Sequence, residues 1–92
     1  MTHEEYNILY NTGQISVKAW YGKVDGCEKS IEAFTHGGKY YLRIIGQYPY
    51  IITENGKKFM TAKEYKRIKI FDSRKQANSY FKRIAVGLQR LF

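Results

Sequence analysis

The chain of 92 residues has a single cysteine, a single proline and a single tryptophan, and only eight Asp/Glu against sixteen Lys/Arg. One cysteine, Cys27, excludes an internal disulfide, and a zinc site needs three or four ligands. An unbridged domain of this size suits a reducing compartment. No apolar run approaches the ~20 residues of a membrane span. The start, Met1-Thr2-His3-Glu4-Glu5-Tyr6, lacks the basic and apolar regions of a signal peptide. The expected location is therefore the cytoplasm, with no membrane contact. Internal repeats and low-complexity tracts are missing, so residues 1–92 read as a single domain.

Motifs for catalysis are also missing. There is no GxGxxG, P-loop, HExxH or CxxC, and the carboxylates form no paired motif. Of the two histidines, His3 lies near the start and His36 in a Gly-rich turn. A Cys27–His36 nucleophile pair is the one constellation left open, with no motif beside it. The expectation is a protein that is not an enzyme and that holds no cofactor or metal.

Aromatic residues and positive charge, by contrast, are abundant. The chain is 43% hydrophobic, with nine Tyr and five Phe besides the Trp, enough to argue against disorder. The net charge of +8 lies wholly in the second half. Residues 1–46 hold five Lys/Arg and five Asp/Glu, whereas residues 47–92 hold eleven Lys/Arg and three Asp/Glu. Such asymmetry points to an anionic partner, although a lysine-rich surface also serves solubility alone.

Turn signals at Asn11-Thr12-Gly13-Gln14, Asp25-Gly26, His36-Gly37-Gly38 and Asn55-Gly56 cut residues 6–71 into strand-sized pieces, and Asn-Gly is the strongest short hairpin signal. Several pieces alternate with period two. Tyr40, Leu42 and Ile44 share one face; Tyr41, Arg43 and Ile45 share the other. Residues 57–64 are ambiguous, because Thr61-Ala62-Lys63-Glu64 fits a capping box. From Ser73, capped with Gln76, apolar residues at 77, 80, 81, 84, 85, 88, 91 and 92 predict an amphipathic helix over about 73–91. Short connections favour antiparallel pairing. The predicted fold class is α+β: an antiparallel meander of about four to six short strands packed against one C-terminal helix, its other face open to solvent.

If the alternation holds, Lys18, Trp20, Tyr41, Arg43, Tyr65, Arg67 and Lys69 share the outer sheet face. Cations there would neutralise phosphates and aromatics would stack on bases. The plainer reading has Trp20 and the tyrosines filling a second small core. The helix adds Lys75, Lys82 and Arg83, with Lys57, Lys58, Lys63, Lys66, Arg74 and Arg90 as further cations that could grip phosphate or simply be solvated. Strands followed by Phe71-Asp72-Ser73-Arg74-Lys75-Gln76-Ala77 and a helix are similar in layout to AP2-type and integrase arm-type DNA-binding domains. The resemblance covers about half the chain. It implies a sheet face laid in the major groove and carries over no residue.

The resulting expectation is a small basic nucleic-acid-binding module. The alternative is an inhibitor or accessory protein of the kind mobile elements encode, an anti-defence or anti-CRISPR factor, docking on an acidic host-protein surface or pairing with itself through a strand edge. A third reading, a small anionic ligand such as a nucleotide, would draw on amides at Gly37, Gly38 and the helix start.

Overall fold

A computed structural model describes residues 1–92. Two helices and five strands follow in the order α1 (His3–Asn11), β1 (Lys18–Val24), β2 (Cys27–His36), β3 (Lys39–Glu54), β4 (Lys57–Phe71), α2 (Arg74–Ile84) and β5 (Gln89–Arg90). The strands form one antiparallel sheet in the order β4-β3-β2-β1-β5. The α+β expectation holds, with three hairpins where the turn signals lie. At Asn55 and Gly56, φ values of 52° and 74° give the left-handed pair that a two-residue hairpin turn requires. The ambiguous stretch 57–64 is strand throughout.

Three expectations are corrected. Residues 6–10 are not a strand: Thr2 caps a helix by accepting from the Glu5 amide at 3.1 Å, with Glu4 and Glu5 in its first turn. A capped, acid-rich first turn favours helix over the short apolar alternation. The C-terminal helix also stops at Ile84 rather than 91. Gly87 takes φ +85°, the chain reverses, and residues 89–90 add to the sheet beside Tyr21 and Trp20. The amides of Ala19 and Leu91 close this edge through the Phe92 and Ala19 carbonyls. Finally, the second sheet face is not open, because α1 packs across it.

The core is accordingly double. On one face α2 covers Ile31, Leu42 and Ile44, with Phe71, Tyr80, Phe81, Ile84 and Leu88 packed around them. On the other, Tyr6 and Ile15 close over Phe34 and Tyr41, with Leu9, Val17 and Ile68 beside them. The open face that the AP2-like layout implies for a major groove is therefore covered near the middle of the sheet.

Beyond Gly46, β3 and β4 outrun the other strands. The pairs from Gln47–Glu64 to Glu54–Lys57 continue as a two-stranded arm, reaching about 25 Å at strand rise. The arm accounts for a molecule 53 Å long but only 26 and 23 Å across. At its base the Tyr65 ring lies over Gly46, where an added Cβ would come within 2.5 Å of it.

Candidate nucleic-acid interface

Directly paired residues in an antiparallel sheet point to the same face, so the register assigns every strand residue. Lys18, Trp20, Lys29, Lys63, Tyr65, Arg67 and Lys69 share the face that α2 covers. Tyr41 and Arg43 point to the α1 face. The seven residues expected on one outer face are thus divided between two, and the five that stay together flank α2 rather than opposing it. Lys75, Lys82 and Arg83 are exposed on α2.

Tyr41 is 9% exposed and its ring stacks on Phe34 at 5.1 Å. Arg43 is ion-paired with Glu32, its side chain 12% exposed. Its guanidinium sits 4.4 Å over the Tyr6 ring, its Nε donates to His3 Nδ1 at 3.3 Å, and the Tyr6 hydroxyl donates to the same Glu32 carboxylate. The side chains of both residues belong to the α1 packing. Cys27 and His36 stand at opposite ends of β2, roughly 30 Å apart at strand rise, so they form no pair.

Register also separates charge. Of the four strand carboxylates, Glu28, Glu32 and Glu64 lie on the α1 face, with Glu4 and Glu5 on α1 itself, and Glu54 alone, at the arm tip, lies on the α2 face. The α2 face carries aromatic rings with cations set over them. Lys63 Nζ lies 3.7 Å from the Tyr50 ring centre, Arg67 5.5 Å from Tyr65, and Arg74 5.7 Å from Tyr40. Lys69 and Arg83 flank Tyr80 at 4.4 and 5.3 Å, and Arg90 lies 6.0 Å from Trp20. Only Arg43, over Tyr6, stands on the other side, and none of these six cations has a carboxylate within 4.0 Å. Aromatic support fixes long side chains while leaving their charge uncompensated.

An open cleft of about 550 Å³ lies between the first turns of α2 and strands β1–β3. Arg74, Ala77, Asn78 and Phe81, one stripe of α2, form one wall; Trp20, Thr35 and Tyr40 line the sheet side. Phe81 packs on Trp20 at 4.5 Å. A second hollow, of about 470 Å³ and lined by the His36-Gly37-Gly38 turn, shares Thr35, Tyr40 and Arg74 with the first. Beside it, Lys39 and Asp72 meet at 2.5 Å. That hydrogen bond, reinforced by the charge of Lys39, holds the Asp72 carboxyl below its ordinary pKa. The reverse influence raises Lys39. On the α1 face the Tyr21 hydroxyl donates to Glu28 at 2.9 Å, which raises the Tyr21 pKa.

Sequence reasoning did not group Tyr40, Asn78 and Phe81 with Trp20, because their meeting depends on how α2 lies over the sheet. The i, i+3, i+4, i+7 spacing of 74, 77, 78 and 81 was the available signal. No helix is long and apolar enough to cross a membrane. Compared with protein-family models, curated proteins and solved structures, the chain matches none.

Proposed function

We propose that this protein is a small nucleic-acid-binding module that grips phosphates with the α2-bearing face. The observation that carries the reading is the set of six aromatic-supported cations on one side of the sheet, none of them ion-paired to a carboxylate. Residues 65–92 hold eight Lys/Arg against Asp72 alone, a local net charge of +7. Each phosphate neutralised releases counterions, which makes binding steeply salt-dependent. The arm is the width of a two-stranded ribbon, which a major groove of about 12 Å admits.

Fluorescence anisotropy with duplex DNA, single-stranded DNA and RNA between 50 and 200 mM salt tests this reading. Arg67→Gln, Lys69→Gln and Arg83→Gln together should lower the slope of log K against log salt by up to about 2.7, near 0.9 for each phosphate no longer neutralised. An unchanged slope in the folded triple variant would refute the interface.

The exposed apolar residues of the arm favour a second reading, a protein-binding inhibitor or accessory factor. Tyr48, Tyr50, Ile51, Ile52, Phe59 and Met60 stand out from the body, with Met60 75% exposed. The arm holds Lys57, Lys58 and Lys63 against Glu54 and Glu64, a net charge of only +1. An apolar, nearly neutral projection suits a protein surface, including another copy pairing along the free edges of β3 and β4. In this case Ile51→Ser with Met60→Ser abolishes a nuclease-resistant complex and leaves nucleic-acid affinity unchanged.

A further inference from the structure

We infer that the cleft under α2 is a binding site for one nucleoside 5′-monophosphate unit, either a free nucleotide or the terminal nucleotide of a strand. The inference rests on the nucleic-acid reading for its choice of anion and names a site that shares Arg74 and Arg90 with the six supported cations but lies beneath α2, away from Lys63, Arg67, Lys69 and Arg83.

Three features of the cleft select this ligand class. The first is charge. Lys18, Arg74 and Arg90 line it, no carboxylate does, and none of the three is in an ion pair. An occupant with a phosphate relieves that excess, whereas a neutral or cationic one does not. The second is flat apolar surface. Trp20, Tyr40 and Phe81 are half-buried, with Phe81 packed on Trp20 and the Arg90 and Arg74 guanidiniums over Trp20 and Tyr40, so a planar heterocycle would stack on the ring surface left exposed or on those guanidinium planes. The third is polar specificity. The Asn78 amide and the Ser16 and Thr35 hydroxyls stand at the same cleft, and none of them is engaged in a side-chain hydrogen bond. A side-chain amide can donate and accept together, as a base edge requires.

The size and plan agree with this. A volume of about 550 Å³ falls within the roughly 300–1,000 Å³ of small-ligand pockets. The aromatic chamber opens past Arg74 into the polar hollow at His36-Gly37-Gly38. At Gly37 and Gly38 an added Cβ would meet nothing within 4 Å, so the exit is open for a continuing strand. The base belongs in the aromatic chamber and the phosphate at Arg74, which both spaces share. Inorganic anions alone would use the cations but not the rings.

Trp20 is the only tryptophan and lines the cleft, so its fluorescence reports occupancy directly. The full chain is titrated with the four common ribonucleoside 5′-monophosphates, with inorganic phosphate, and with a short single strand bearing either a 5′-phosphate or a 5′-hydroxyl. A saturable change is expected with at least one nucleotide, tighter than with inorganic phosphate. Arg74→Gln, and separately Arg90→Gln, should weaken it about tenfold or more, while Lys23→Gln, on the α1 face of the sheet, leaves it unchanged. A 5′-phosphorylated strand binding at least tenfold tighter than both the free nucleotide and the 5′-hydroxyl strand assigns the site to strand ends; equal affinities assign it to free nucleotides. No saturable change, equal binding of inorganic phosphate, or indifference to both substitutions overturns the inference. If long strands still bind with a steep salt dependence in that case, the rim interface stands and only the cleft is refuted. If nucleotides bind and long strands do not, the cleft stands and the module reading falls.

Discussion

Removing Glu32 should destabilise the protein more than any change to its charged surface. The Glu32 and Arg43 side chains are 20% and 12% exposed, so water screens them little. Glu32→Ala leaves the Arg43 guanidinium with only the Tyr6 ring and the His3 imidazole and deprives the Tyr6 hydroxyl of its acceptor. Breaking one side of a buried pair costs about 3–5 kcal/mol. A domain of this length holds only about 5–14 kcal/mol in total. Thermal unfolding followed by circular dichroism should show a Tm lower by about 12–24 °C for a loss near 3 kcal/mol. Arg43→Met should cost nearly as much, because it strands the carboxylate instead. The double variant Glu32→Leu/Arg43→Met should recover most of the loss, since well-packed apolar replacements of such pairs are often near neutral. The coupling in that cycle should exceed about 2 kcal/mol. Single variants each within about 1 kcal/mol of the parent, with additive effects in the double, would refute the reasoning and class the pair with ordinary surface ion pairs.

Gly22→Ala should weaken the C-terminal closure by about 1–3 kcal/mol, because a Cβ there would lie 2.6 Å from the Gly87 carbonyl oxygen and 3.0 Å from Leu88; urea unfolding measures it, and a neutral result means that the β5 turn moves freely. Gly56→Val should destabilise the arm turn, which needs φ +74°, and raise amide exchange at 48–63 while residues 31 and 42 keep their protection. In an NMR titration, Asp72 should stay ionised to lower pH than an ordinary aspartate, and Lys39→Ala should return it toward the ordinary value. The sign follows from the direction: a depressed Asp72 supports the fold above the unfolded carboxyl pKa and ceases to as pH falls through the folded one. Raised Lys39 supports it below the unfolded lysine pKa and ceases to as pH rises through the folded one.

The sheet was legible in the sequence because its signals are local. Asn55-Gly56, Asp25-Gly26 and His36-Gly37-Gly38 mark turns by backbone chemistry, and Tyr40/Leu42/Ile44 alternate as a half-buried strand does. The N-terminal helix carried a readable sign as well, since Thr2 and Glu5 have the spacing of a capping box, and the Thr2 hydroxyl accepts from the Glu5 amide and donates to its carboxylate, but a short apolar run from Tyr6 to Tyr10 suits strand and helix alike. The end of α2 was obscured because Leu88 continues the apolar stripe outside the helix and still reaches the core. Facing was the least legible. Alternation groups Tyr41 with Arg43 correctly, but only cross-strand register tells that Arg67 and Lys69 lie opposite Ile44 and Leu42, on the other side from Arg43. A one-residue change in register exchanges the two faces of a strand, and no single strand contains that information.

The arm puts the same property to a different use. Pro49, Ile51, Met60 and Ala62 line one of its faces and Tyr48, Tyr50, Ile52 and Phe59 the other, so a slip there would trade one apolar face for another. In the body a slip would drive Lys69 into the α1 packing. Register is therefore held at the base by the body and at the tip by the Asn55-Gly56 turn, and the pairs between them are free to vary in number. Two residues added to each strand would keep every facing and extend the reach by about 7 Å. The arm behaves as a ruler graduated in dipeptides, and the distance from body to tip can be reset by insertion or deletion without disturbing either end.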